Sequence, residues 1–380
     1  MDVFRKNYTT YYCILRFTGL WPFDESVLSK LHRICFSLIP VSCIVIQANR
    51  LQYVEITVQN LITFLSFSCP MLLFFLRYLG FIINFPLVKS FIENIENDCA
   101  TIQNPIEVKM LTKYIERTKL VIQLFIGLAI LTICALSLKL VTPTIFHLKC
   151  QLHFLQFLGF FYFEHSKQAD WASIHITTTA VFGLFIIACT EGSLAVFALY
   201  LCGLFKIVSY RIEGAVDNAT KFITAKPIAI GPAMDMHQRA YKLAKSVGNS
   251  VLLSYLLAII VVVLSFAMNL YRASVMLSDI KSIDDFIMCV VIVVTHLIII
   301  FLNNYSGQQL ANSSVDVFYH TYNSSWYSMP PKSQKMLLLV LMRSAPEVHF
   351  NLAGLFNPCY EGFTTMMSSS FSYFTVLYSA

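Results

Sequence analysis

The closing stretch, Cys359–Ala380, reads CYEGFTTMMSSSFSYFTVLYSA and carries a row of hydroxyls. At helical spacing Thr365, Ser369, Ser372, Val376, Ser379 and Ala380 share one face, while Phe363, Met367, Phe374 and Leu377 fall on the other. The stretch has the length of a membrane span. Hydroxyls along a span can let a neighbouring helix approach closely. They can also line water and pass ions, in which case Val376 is the one branched apolar side chain that narrows the row. Spacing alone leaves both open.

Other residue types that do chemistry are present without the spacing that chemistry needs. The 9 His and 11 Cys are dispersed, and no C-x-x-C, H-E-x-x-H or G-x-S-x-G occurs. No metal, no cofactor and no disulfide framework is expected, and the polar segments are too short for a catalytic domain, so the chain does not read as an enzyme. Two ionisable residues sit inside apolar stretches, Glu191 and His296. Such residues face protein or water rather than lipid. Glu191 is expected to be structural near one interface, and His296 to be a hydrogen-bonded packing residue.

The elements that position these residues follow from composition. The chain has 380 residues, 57% hydrophobic and 13% charged, with a mean hydropathy of +0.66. Soluble domains carry about 25% charged residues, so this is an all-α polytopic membrane protein. The net charge of +6 would suggest nucleic acid for a soluble chain; here it sits in loops, and no nucleic-acid partner is expected. The N-terminus MDVFRKNYTTYYCILRF has no signal-peptide pattern, so insertion is expected to use the first span. Seven spans are predicted, at 34–54, 59–83, 119–141, 173–203, 249–270, 285–306 and 359–380. No internal repeat of the kind expected in a transporter is visible.

Charge sets the orientation. With the N-terminus inside, only Arg50, Lys139, Lys149, Lys167, Arg272 and Lys281 of the 27 Lys and Arg fall outside. The N-terminus is therefore predicted to be cytoplasmic and the C-terminus extracellular, the reverse of a G-protein-coupled receptor. Asn357-Pro358-Cys359-Tyr360 is one residue short of that class's NPxxY and precedes the last span, and no DRY triplet follows the third. Between the sixth and seventh spans, Trp326 and Tyr327 precede Pro330-Pro331, and Lys335 and Arg343 bracket MLLLVLM. That apolar helix is too short to cross a bilayer and must bury itself in protein, within the chain or between chains.

These pieces, in this order, resemble the insect odorant receptor family. TGLWPFDES near the N-terminus, LYLCGLFKIVSYRI at Leu199–Ile212, NNYSGQQLANSSVDVFYHTYNSSWYSMPPKSQKMLLLVLMRSAP and the terminal SYFTVLYSA are similar to the family's motifs. The resemblance implies a ligand-tuning subunit of a tetrameric odorant-gated non-selective cation channel. It would assemble with a common co-receptor in the plasma membrane of olfactory sensory neurons. The short segment Leu204–Gly248 looks like a tuning receptor rather than the longer co-receptor. The implied organisation is a cytoplasmic N-terminal segment (1–33), a six-helix bundle with the odorant pocket in its outer half (34–306), a cytoplasmic anchor with the first half of a split seventh segment (307–358), and a pore helix (359–380).

By resemblance, Ser369, Ser372, Val376, Ser379 and Ala380 line the pore and gate, the Ala at the last position leaving its narrowing there open. Trp326, Tyr327, Leu338 and Leu341 are assigned to the subunit interface. A small volatile apolar ligand needs a dry pocket with few polar contacts. The outer halves of the spans supply Phe64, Phe67, Ser68, Met71, Cys134, Leu138, His175, Thr178, Phe182, Phe266, Val291 and Thr295, each of which could instead be ordinary helix packing. A gustatory-type channel of the same topology is the nearest alternative, and a metabotropic seven-helix receptor a more distant one.

The orientation makes a prediction about five N-x-S/T sequons, at Asn7, Asn218, Asn304, Asn312 and Asn323. All fall on the predicted inner side or at its border, so none is glycosylated. Endoglycosidase treatment of the intact protein is expected to leave its gel mobility unchanged; a shift overturns the orientation.

Overall fold

The computed structural model describes residues 2–51, 57–145, 167–221, 230–278, 283–350, 352 and 354–379. Among them are α1 (Asp2–Asn7), α2 (Thr9–Phe17), α3 (Val27–Leu51), α4 (Val58–Ile83), α5 (Phe85–Thr101), α6 (Pro105–Ile145), α7 (Lys167–Lys221), α8 (Gly231–Ser278), α9 (Ile283–Asn323), α10 (Pro331–Ser344) and α11 (Tyr360–Ser379). Six of them, α3, α4, α6, α7, α8 and α9, are long and apolar enough to cross a membrane. The final helix α11 has 20 residues, the length of a span, but its hydroxyls make it less apolar.

The apolar windows are shorter than the helices that contain them. α7 runs for 55 residues and α8 for 48, well beyond 173–203 and 249–270. α9 does not stop at 306 but continues through Gly307 to Asn323. Helix formation needs only backbone bonding and one packed face, so it persists where hydropathy has dropped. The polar extensions are pinned by ion pairs. Glu107 of α6 takes Arg211 of α7 in a two-pronged contact, 2.8 and 2.7 Å. Asp98 of α5 is buried, accepts a short hydrogen bond from Tyr200 of α7, and pairs with Arg239 of α8 at 2.6 Å.

The N-terminal motif has a local cause. α2 ends where Gly19 takes φ +72°, which L side chains rarely adopt. Gly19 N–H reaches the Arg16 carbonyl at 3.2 Å and Leu20 N–H the Leu15 carbonyl at 2.8 Å, the paired bonds of a Schellman stop. Leu15, Leu20 and Trp21 are thereby driven into the core, and Tyr78 of α4 donates its hydroxyl proton to the Thr18 carbonyl at 2.9 Å.

Glu191 lies at the centre of the bundle. Its side chain, 1% exposed, pairs with Arg77 of α4 at 2.8 Å and accepts from Asn303 Nδ2 of α9 at 2.8 Å. The Arg77 guanidinium also lies 4.3 Å from the Tyr255 ring of α8. One knot thus joins α4, α7, α8 and α9, and the structural reading of Glu191 acquires partners.

The final helix starts on α9 rather than on its own cap. Its sequence offers no Ser, Thr, Asp or Asn at Cys359, where a cap would stand. Asn304 Oδ1 instead accepts the Cys359 N–H at 3.0 Å, and Gln308 Oε1 accepts the Tyr360 N–H at 3.1 Å. Ser314 Oγ accepts Val348 N–H at 2.9 Å further back. A Cβ at Gly307 would overlap the Pro358 carbonyl oxygen, so only glycine lets the connector lie this close. Gly307→Ala is expected to cost about 1–3 kcal/mol through that overlap. The check is the unfolding midpoint of the purified protein, which should fall; an unchanged midpoint refutes the close approach.

Candidate functional site

A cavity of about 110 Å³ lies between α4, α6, α7, α8 and α9. α4 contributes Ser66, Phe67, Pro70, Met71, Leu73 and Phe74; α7 contributes Ile176, Thr177, Ala180, Leu184 and Ile187; α9 contributes Ile292, Thr295, His296 and Ile299; Thr132 and Val262 complete it from α6 and α8. Each set is a stripe at helical spacing. The scale matches a one-ring molecule, since an engineered cavity of about 150 Å³ takes benzene.

Pro70 shapes the wall. It removes the N–H that would bond the Ser66 carbonyl, and Asn269 Nδ2 of α8 supplies a donor to that oxygen at 3.3 Å. Arg272 Nη1 donates to Ser66 Oγ at 2.8 Å, and its guanidinium lies 4.5 Å from the Phe67 ring. On the opposite wall Gly183 allows Phe74 to lie against α7, because a Cβ there would overlap the Phe74 ring. His296, read as a packing residue, is hydrogen-bonded to Ser265 Oγ at 3.0 Å and the Ile292 carbonyl at 2.9 Å, yet it also lines the cavity.

Of the residues singled out in sequence, Phe67, Met71 and Thr295 meet at this cavity. The others point elsewhere. Phe64 is half-buried a turn away. Ser68 donates to Gln47 Oε1 at 2.6 Å on α3. His175 Nε2 meets Ser42 Oγ, also on α3, at 3.0 Å. Phe182 packs edge-on to Phe36 with ring centres 4.9 Å apart. Phe266 faces Phe371 of α11 at 6.4 Å, and Val291 serves as backbone acceptor for Thr295. Cys134 and Thr178 are exposed. The Leu138 side chain lies outside the described residues. The difference is rotational, since one residue turns a helical side chain by about 100°. Thr177 occupies the place expected of Thr178. Pro70, a proline inside a helix, and Gly183, which permits a close approach, are the sequence signals that could have marked the walls.

The second feature is the final helix. It packs on α8 and α9 through buried Gly362, Met366 and Ser370, with Phe363, Met367, Phe374 and Leu377 half-covered. The hydroxyl face is bare: Thr365, Ser372 and Ser379 are exposed, Val376 is 62% exposed, and Ser369 is half-buried. Ala380 lies outside the described residues. Of the interface set, Tyr327 and Leu338 are exposed and Trp326 half-buried. Leu341 is buried within the chain, because α10 turns it inward and presents Leu338, Leu339 and Met342 outward.

Fold and site define a multi-pass helical membrane protein that encloses a ligand-sized apolar cavity. A family model described as 7tm Odorant receptor matches residues 56–371, and the chain belongs to that family. The fold is that of the insect olfactory receptor OR5 from Machilis hrabei. The chain aligns with the structure of that receptor in complex with eugenol at TM-score 0.84 and 14% identity, covering 99% of this chain and 98% of that one. A further structure of the same receptor aligns at TM-score 0.80 and 14% identity, covering 98% and 97%. No curated protein sequence matches.

The Phe74–Gly183 contact makes the cavity testable. Gly183→Ala must push the Phe74 ring, partly into the free volume, and is expected to weaken binding of a ring-sized apolar molecule about tenfold or more. The readout is the ligand-induced shift in unfolding midpoint of the purified protein. An undiminished shift refutes the assignment of that ring to the cavity wall.

Proposed function

We propose that this chain is the ligand-tuning subunit of a tetrameric odorant-gated, non-selective cation channel, assembled with a common co-receptor in the plasma membrane of olfactory sensory neurons. Its N-terminus is cytoplasmic and its C-terminus extracellular. One observation carries the reading: the apolar cavity shares α8 and α9 with the docking surface of a final helix whose hydroxyl face is left bare. A receptor of this fold was solved with eugenol, a one-ring volatile, and the cavity here is of ring size. The bare row of Thr365, Ser372, Val376 and Ser379 suits a water-filled axis shared with neighbouring subunits, and the outward Leu338, Leu339 and Met342 suit burial between chains.

Ligand energy reaches the pore along short contacts. Val262 lines the cavity, and Phe266, one turn on, meets Phe371 of the final helix. Ile299 lines it too, and one turn on Asn303 and Asn304 hold Glu191 and the Cys359 N–H. A ten-atom volatile gains roughly 0.3–1.5 kcal/mol per atom, which after binding costs places affinity at about micromolar to millimolar. It gates only by preferring the open arrangement.

The test is whole-cell current from cells expressing this chain with and without the co-receptor, over a panel of one-ring volatiles, with surface labelling scored in the same cells. Fast cation current that requires both chains and no G protein is expected. Val376→Ala in this chain should raise basal leak or alter blocker sensitivity. A second-messenger response without direct current overturns the channel reading, and an unchanged leak, selectivity and block in the variant removes Val376 from the gate.

A further inference from the structure

Every polar group in the cavity lining but one has a partner. Ser66 donates to the Thr63 carbonyl at 2.7 Å and accepts from Arg272 at 2.8 Å. Thr132 reaches the Leu128 carbonyl at 2.9 Å and Thr295 the Val291 carbonyl at 2.7 Å, and the two hydroxyls meet at 3.2 Å. His296 is engaged at both ring nitrogens. The exception is Thr177, whose Oγ1 is buried without a hydrogen-bond partner.

That exception runs against the habit of helix threonines, which return the hydroxyl proton to a carbonyl three or four residues back. Thr179, two positions on, does so to the His175 carbonyl at 2.8 Å. Thr177 shares its stripe with Ala180, Leu184 and Ile187 of the lining. A buried hydroxyl left unpaired costs stability that a matching group recovers. No Asp, Glu, Lys or Arg is in the lining, so a charged ligand would be buried without a counter-charge.

We propose that Thr177 is the hydrogen-bonding and specificity-determining residue of this cavity, and that the preferred ligands are neutral, ring-sized apolar molecules carrying one acceptor oxygen. This rests on the cavity being the ligand site. The Thr177 O–H is the one uncommitted donor among the described lining groups; with Oγ1 enclosed, a turn about χ1 brings it to donate to a ligand carbonyl, ether or hydroxyl oxygen. Hydrocarbons of the same shape enter but leave the hydroxyl unpaired, and discrimination by an unpaired polar group exceeds what a small change of apolar area gives.

The experiment uses the purified full-length chain and two shape-matched probes, acetophenone and ethylbenzene, read as concentration-dependent shifts of the unfolding midpoint. Wild-type and Thr177→Ser are expected to respond to acetophenone at about 3- to 10-fold lower concentration than to ethylbenzene, the worth of one hydrogen bond. Thr177→Val is expected to abolish that preference while leaving the ethylbenzene response in place. Its own midpoint without probe should equal or exceed wild-type, because no hydrogen bond is lost. A preference that survives in Thr177→Val, or a lowered midpoint in that variant, overturns the proposal. Ala180→Leu, which fills the cavity, should weaken both probes. If it weakens neither, or if neither probe shifts the wild-type midpoint, the cavity is not the ligand site and the proposal falls with it.

Discussion

A carboxylate buried in the middle of a membrane bundle constrains everything around it. Glu191 is 1% exposed and Arg77 10%, so neither charge is tolerable without the other, and removing one partner of such a pair costs about 3–5 kcal/mol. Two-ended satisfaction by Arg77 and Asn303 fixes how α4, α7 and α9 stand against one another along their axes, since a slip of one turn would separate the groups by about 5 Å. Ion pairs of this kind add less to stability than to specificity. Here the specified quantity is register. Ile187 and Ile299, which line the cavity, sit one turn from Glu191 and Asn303, so the pair that sets the register also sets one end of the cavity.

The same stretch of α9 holds the final helix. Asn303 faces the ion pair; Asn304 and Gln308 satisfy the first N–H groups of α11; Gly307 admits the Pro358 carbonyl. A helix whose leading N–H groups are satisfied by another element cannot move independently of that element at its start, while its far half is covered on one side only, by contacts such as Phe266 with Phe371 and at half-buried Phe374 and Leu377. The helix is therefore held at its base and bare along the hydroxyl row. Among the described residues, Thr365, Ser372, Val376 and Ser379 of that row stay exposed; lipid would be a poor solvent for the row, and water or the equivalent helix of a neighbour a good one.

Apolar runs are a one-dimensional property, and helices that depend on them were legible: the stretches 59–83 and 359–380 fall on α4 and α11, of which α4 is apolar enough to cross a membrane. The two faces of the final helix were legible for the same reason, because a 20-residue helix with hydroxyls at one spacing and large apolar groups at another leaves little freedom of phase. The polar continuations of α7, α8 and α9 were not, because they are stabilised by partners distant in sequence, Glu107 with Arg211, Asp98 with Arg239 and Glu213 with His320. The cavity was legible only in part. Thr178 against Thr177, or Ser68 against Ser66, is a difference of helical phase from the cavity lining, and phase is set by contacts such as Gln47 with Ser68 and Ser42 with His175 that no local pattern announces. The lining of the cavity therefore depends on facings that only the whole bundle sets.

Energy decides what kind of motion a ligand can drive in such a bundle. The net gain from a ring-sized volatile, micromolar to millimolar in affinity, is about 4–8 kcal/mol at most, and only the difference between its affinities for two arrangements is available for work. Opening the Arg77–Glu191–Asn303 knot would consume that difference outright. Tilting helices about the knot, with its hydrogen bonds intact, costs far less, because packed helices slide by small shears without exposing buried charge. The knot then acts as a fixed point. On one side of it lies the end of the cavity lined by Ile187 and Ile299. On the other, Asn304 and Gln308 carry the base of the final helix, whose far end bears the exposed Val376. Under the proposed gating, a buried ion pair that is expensive to break would serve as the pivot between weak binding and displacement at a distance.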